Sequence, residues 1–215
     1  MTPERTTRLR GLYAITPDSP NQTQWLAQIS AALRGGARIV QYRDKQHSPA
    51  EKKARASVLA ALCRQYDACF IVNDDVALAL DVAADGVHLG GSDGDLAAAR
   101  QALGPELLLG ASCYADFSLA QAAVAAGADY VAFGAVCPSP TKPQAVRAPL
   151  TLFGQGRRTL GVPLCAIGGI TLDSAPEIIA AGADMLAVIS NLFDAPDIAA
   201  RARHFQTLFM ETSRD

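Results

Sequence analysis

The sequence predicts a (β/α)8 barrel of the TIM type, a single compact domain over residues 1–215. Two observations carry this. The first is a joint that recurs four times, in which a helix-like stretch closes on small residues and runs at once into a short apolar strand. Its copies are Leu33-Arg34-Gly35-Gly36-Ala37-Arg38-Ile39-Val40, Ala83-Ala84-Asp85-Gly86-Val87-His88-Leu89, Ala126-Gly127-Ala128-Asp129-Tyr130-Val131-Ala132-Phe133 and Ala181-Gly182-Ala183-Asp184-Met185-Leu186-Ala187-Val188. Glycine just past a helix accepts the left-handed backbone of a C-cap, and the adjacent alanine lets helix and strand approach closely. The second is strict strand-helix alternation with strands that are apolar throughout, as a parallel sheet covered on both faces requires. A doubly wound sheet shares the alternation, but no G-x-G-x-x-G follows the first strand.

In chain order, the first strand is the apolar run Leu12 to Ile15, and helical periodicity follows over Gln22 to Leu33. The second strand carries Ile39-Val40 and leads to a helix from Pro49 to Arg64. Cys69 to Val72 and a helix over Val76 to Val82 make the third unit, and Val87 to Leu89 with Asp95 to Leu103 the fourth. The fifth pairs Leu107 to Gly110 with Asp116 to Ala125. The sixth pairs Tyr130 to Phe133 with a helix over Leu150 to Leu160 that Gly154 and Gly156 interrupt. Pro163 to Ile167 with Asp173 to Ala180, then Met185 to Val188 with Ala195 to Met210, complete eight units. The Pro-rich segment from Pro138 to Pro149 reads as a long loop within the barrel.

Composition narrows the function. Half the 215 residues are hydrophobic and 19% are charged, enough for one well-buried core. A net charge of −2 without a basic run gives no footprint for nucleic acid. Five cysteines without C-x-x-C spacing predict neither a disulfide framework nor a zinc site, and fit reduced thiols in the cytoplasm. The polar N-terminus lacks the apolar core of a signal peptide, and no apolar stretch is long enough to span a bilayer. The partners expected are small molecules, and whether the chain forms a homo-oligomer is left open.

In a barrel the chemistry gathers where the strands end, and here the strand ends are polar. After the second strand come Gln41, Arg43 and Lys45, a planar fork and a mobile point charge suited to a phosphate or diphosphate. After the third comes Asn73-Asp74-Asp75; Asp75 is a candidate helix cap, and Asp74 the better metal ligand. Asp93 and Asp95 follow the fourth strand, where one could cap the next helix, and Asp93 with Asp74 would suit Mg²⁺. Ser112 follows the fifth, and Ser139-Pro140-Thr141-Lys142 lies in the loop after the sixth. Gly168-Gly169 after the seventh and Ile189-Ser190 after the eighth expose backbone amides, a second anion site. His88, flanked by Val87 and Leu89, reads as a packed core residue.

Gly11-Leu12-Tyr13-Ala14-Ile15-Thr16, Gln41 to Lys45, Asn73 to Asp75, Gly86 to Gly90, Ser139-Pro140-Thr141-Lys142-Pro143, Ile167 to Ile170 and Val188 to Ser190 together resemble the thiamine-phosphate synthase family over nearly the whole chain. The resemblance implies a (β/α)8 transferase that couples hydroxymethylpyrimidine diphosphate to hydroxyethylthiazole phosphate with the help of Mg²⁺. It implies that Gln41 contacts the pyrimidine, that Arg43, Lys45, Asn73 and Lys142 contact the diphosphate, and that Asp74 and Asp93 hold the metal. Arg43, Lys45 and Lys142 would be catalytic. Ser112 would lie on the pyrimidine side, and Ser139, Thr141, Gly169, Ile189 and Ser190 would border the thiazole phosphate. Tyr42, Asp44 and Pro140 belong to the substrate-binding segments, Asp44 with no role beyond a turn. The chain departs from the family at Gly91, where glutamine is frequent, and at Ser139, where threonine is. A thiazole tautomerase-like paralogue would lack the diphosphate clamp, and a phosphate sensor without catalysis would not need both Asp74 and Asp93.

Overall fold

Eight parallel strands close into a barrel in chain order: β1 (Gly11–Ile15), β2 (Ile39–Tyr42), β3 (Cys69–Asn73), β4 (Gly86–Leu89), β5 (Leu108–Tyr114), β6 (Tyr130–Gly134), β7 (Leu164–Ile167) and β8 (Met185–Val188), with β8 pairing back to β1. The structure, a computed structural model, describes residues 8–91, 94–138 and 147–211. Around the barrel lie α1 (Gln22–Arg34), α2 (Pro49–Gln65), α3 (Val76–Asp81), α4 (Leu96–Leu103), α5 (Phe117–Ala125), α6 (Thr151–Thr159), α7 (Ala175–Ala180), α8 (Ser190–Phe193) and α9 (Ile198–Glu211). Among the described residues no helix is long and apolar enough to cross a membrane.

Alternation along each strand sorts the core into two shells. Tyr13, Ile39, Ile71, Tyr130 and Met185 fill the barrel, while Val40, Tyr42, Phe70, Phe133 and Leu186 pack outward against the helices. The recurring joints prove to be ties between strands. The carboxylates of Asp85, Asp129 and Asp184 accept the backbone N–H of Phe70 at 2.7 Å, Leu109 at 2.8 Å and Leu164 at 2.9 Å. Each closes a backbone donor near the start of a neighbouring strand, so three joints fix register as well as direction. At the glycine of the joint, Gly127 and Gly182 hold φ of +96° and +115°; Ala83 occupies the equivalent place at φ +50°.

Some boundaries differ from those expected. β5 runs on to Tyr114 through a bulge between Ser112 and Tyr114, so Ser112 lies within the strand, not after it. Gln41 and Tyr42 likewise lie inside β2. α7 begins at Ala175 rather than Asp173, because Thr171 and Ser174 exchange side-chain and backbone hydrogen bonds in a turn of their own. α9 begins at Ile198 after the unforeseen short α8, with Asp197 accepting from the N–H of Ala200. α6 forms despite its glycines: Gly156 lets it close on β7, where an added Cβ would meet Leu164 at 3.0 Å. α2 opens on a reciprocal capping box between Ser48 and Glu51. Ser48→Ala should cost about 1 kcal/mol, read as a lower denaturation midpoint with an unchanged slope.

Candidate active site

The loop after β2 is held from both sides. On one side Thr16, buried just past β1, accepts the N–H of Arg43 at 3.0 Å and donates to the Arg43 carbonyl at 3.2 Å. This pins the Arg43 backbone while leaving its side chain at the surface, where the guanidinium stands 3.7 Å from the Asp18 carboxylate. Lys45, two residues on, is exposed.

On the other side sits a cluster built on Asp44. Its carboxylate accepts the Tyr42 hydroxyl at 2.7 Å and the backbone N–H groups of Gln46 and His47 at 3.0 and 3.1 Å, and lies against the His47 ring. Arg55, reaching in from α2 with only 6% of its side chain exposed, brings its Nε to 3.5 Å, stacks over Trp25 and donates to the Ser19 carbonyl. Burial alone would raise the Asp44 carboxyl, but the hydrogen bonds from Tyr42, Gln46 and His47 outweigh it and hold it well below the usual carboxylate range. Tyr42 points outward between strand and helices, with its ring edge-on to Trp25, and Asp44 spends its oxygens on its own loop. Both brace the loop after β2.

At the end of β3 the two adjacent aspartates divide. Asp75 caps α3 by accepting the Leu78 N–H at 2.8 Å. Asp74 takes a left-handed backbone, φ +65°, with its own N–H bonded to the His88 carbonyl. Asp95 caps α4 at the Ala98 N–H, and Asp93 lies outside the described residues. Among the described residues no three of His, Cys, Asp or Glu gather as a metal cage. One or two hard carboxylate oxygens fit an ion such as Mg²⁺, whose remaining ligands come from water and phosphate.

Inside the barrel the polar residues join in a line. Gln41 Nε2 donates to the Tyr13 hydroxyl at 2.9 Å, the Tyr13 and Tyr130 hydroxyls stand 2.9 Å apart, Tyr130 meets His88 Nδ1 at 3.0 Å, and His88 Nε2 meets Ser112 Oγ at 2.9 Å. Gly110 makes this line sterically feasible, because a Cβ there would collide with the Tyr130 ring. His88 is indeed buried, but as a link between two strands rather than as apolar filling. Burial raises both tyrosine hydroxyls far above their ordinary range, so each keeps its proton.

After β7, Gly168 and Gly169 adopt φ of +98° and +70°; after β8, Ile189 leads into the exposed Ser190 that opens α8. Since β7 pairs with β8, these two strand ends are neighbours. Asn73 ends β3 half-buried. Ser139, Pro140, Thr141 and Lys142 lie outside the described residues. Gly91 has a visible use: Tyr114 Oη accepts its N–H at 3.3 Å, and a Cβ on Gly91 would touch that ring at 3.4 Å. Asp18 and Arg55 have no place in the sequence reading, and Tyr13, Thr16 and Tyr130 appear there only within motifs, without a role at the site. Period-2 alternation could have assigned Tyr13 to the barrel interior, since it shares a face with Ile15; nothing local marks Arg55 as buried.

The chain resembles known proteins over nearly its whole length. A family model described as thiamine monophosphate synthase matches residues 12–192. The thiamine-phosphate synthase of Aromatoleum aromaticum is 62% identical over 203 residues, spanning 94% of this chain and 98% of that protein. That of Thioalkalivibrio sulfidiphilus is 58% identical over 203 residues, spanning 94% and 96%. A thiamine phosphate pyrophosphorylase from Pyrococcus furiosus superposes with a TM-score of 0.85 at 34% identity, covering 95% of this chain and 97% of that one. A 3-hexulose-6-phosphate synthase at 21% identity and a TM-score of 0.69 shares the fold alone. The matched span takes in the strands, β1 from its second residue, and their polar ends, and the chain belongs to the thiamine-phosphate synthase family of transferases.

Proposed function

We propose that the protein is a cytoplasmic enzyme of thiamine biosynthesis that joins hydroxymethylpyrimidine diphosphate to hydroxyethylthiazole phosphate, releasing diphosphate and forming thiamine phosphate. The observation that supports this most is Arg43, pinned by Thr16 and turned to the surface two residues from the barrel-lining Gln41. A ring held at Gln41 and Ser112 would carry its diphosphate outward to Arg43, Lys45, Asn73 and Lys142. The thiazole phosphate would rest on the amides and hydroxyls near Gly169, Ile189, Ser190, Ser139 and Thr141.

The bond to diphosphate breaks first and its electron pair leaves with the diphosphate. The pyrimidine ring stabilises the methylene cation that remains, and the lone pair of the thiazole nitrogen closes the new C–N bond. No covalent nucleophile is needed, so the residues act by charge and position. The guanidinium of Arg43 exchanges Asp18 for two phosphate oxygens, and Lys45 and Lys142 add mobile positive charge. Asp74 and Asp93 would hold Mg²⁺, which when bound supplies further charge to the leaving group.

Purified protein with Mg²⁺ and both substrates should form thiamine phosphate and diphosphate in equal amounts. Chelation should abolish the reaction and added Mg²⁺ restore it. Absence of product with both substrates and metal would end this reading.

A further inference from the structure

The line Gln41–Tyr13–Tyr130–His88–Ser112 spans five strands, and the two tyrosine hydroxyls at its centre constrain its direction. Among the described residues the Tyr13 hydroxyl meets only Gln41 and Tyr130. Having accepted from Gln41 Nε2, it has one proton to give, and giving it to Tyr130 leaves no buried donor unused. Tyr130 must then donate onward to His88 Nδ1, which requires the imidazole proton on Nε2, where it is donated to Ser112 Oγ. With Gln41 donating to Tyr13, reversing either the Tyr13–Tyr130 or the Tyr130–His88 link alone would orphan a buried tyrosine proton, at a cost of about 1–3 kcal/mol. The five groups are therefore oriented together. At the ends, Gln41 keeps its carbonyl oxygen outside the line as an acceptor, and Ser112 keeps its hydroxyl proton as a donor.

We propose that Tyr13, Tyr130 and His88 are positioning residues that lock Gln41 and Ser112 into opposite hydrogen-bonding polarity, so that the barrel floor selects a heteroaromatic edge bearing one donor and one acceptor. An aminopyrimidine has such an edge. The inference rests on the proposed ring site, but the polarity itself belongs to the protein without substrate.

Two measurements separate these levels. In the substrate-free enzyme, nitrogen-15 NMR of the histidine side chains should find His88 neutral with its proton on Nε2 and Nδ1 bare. A proton on Nδ1, or on both nitrogens, overturns the polarity whatever the enzyme's reaction. In turnover, Tyr130→Phe keeps the ring that fills the barrel and cuts the line. It should raise KM for the pyrimidine diphosphate about tenfold, as expected for loss of one oriented hydrogen bond, and leave KM for the thiazole phosphate unchanged. Tyr13→Phe should act in the same sense, and serves if Tyr130→Phe folds poorly. An equal change in both KM values, or none in either, overturns the positioning role. If the wild type makes no thiamine phosphate, the reading of the reaction fails while the NMR result still decides the relay.

Discussion

Arg43→Ala should lower turnover by about 10²- to 10³-fold, the loss typical when one preorganised donor to a developing anion is removed. Thiazole phosphate binding should survive, because the amides after β7 and β8 are on other strands. The argument rests on how the side chain is held. Thr16 grips both the N–H and the carbonyl of Arg43, so truncation leaves the loop in place and removes only the guanidinium. Loss of the Asp18 contact costs little, since both side chains are about a third exposed and water screens them. Steady-state kinetics should show kcat falling, and calorimetry with the thiazole phosphate should show an unchanged Kd. Parallel loss of both would contradict the division into two anion sites.

Asp44→Ala should destabilise the fold by about 3–5 kcal/mol, because it strands the buried Arg55 guanidinium. In a chain of this length that is a fall in Tm on the order of 10 °C. The side chains of Arg55 and Asp44 are only 6% and 5% exposed, and Arg55 Nε has no hydrogen-bond partner as it is. Removing the carboxylate leaves it the Trp25 face, the Ser19 carbonyl and the uncharged Tyr42 hydroxyl, none of which offsets its charge. Asp44→Asn should lose less, since an amide oxygen still accepts from Tyr42. The pH dependence has a definite sign. A carboxyl held below its unfolded value contributes stability that is full above the ordinary carboxylate range and is lost as pH falls through that range toward the lower folded value. The acid limb of the wild-type stability curve should therefore be steeper than that of Asp44→Asn.

Strand-helix alternation was legible because each joint repeats the same small residues at the same offsets, and backbone geometry demands them locally. The aspartates of those joints were visible too, but what they bind is a neighbouring strand, which only closure of the sheet brings near. At the site, residues on strand ends could be read and their direction only in part. Gln41 and Tyr42 differ by one position and so face opposite sides of β2, one bonded to Tyr13 and the other packed on Trp25. Ser112 looked like a loop residue because Ser-Cys-Tyr is not an apolar run, yet a bulge carries β5 past it. Nothing in the local pattern singles out Arg55 on its helix, and an aromatic face and a carboxylate from two other segments bury it.

Gly110 shows how closely filling and recognition are tied. The space it leaves is taken by the Tyr130 ring, which plugs the barrel and also carries the hydroxyl between Tyr13 and His88. A methyl group placed there would push on a packing residue and a polar contact in the same motion. On the proposed reading the interior of this barrel is part of the instrument: its volume cannot be retuned without also retuning what its floor recognises.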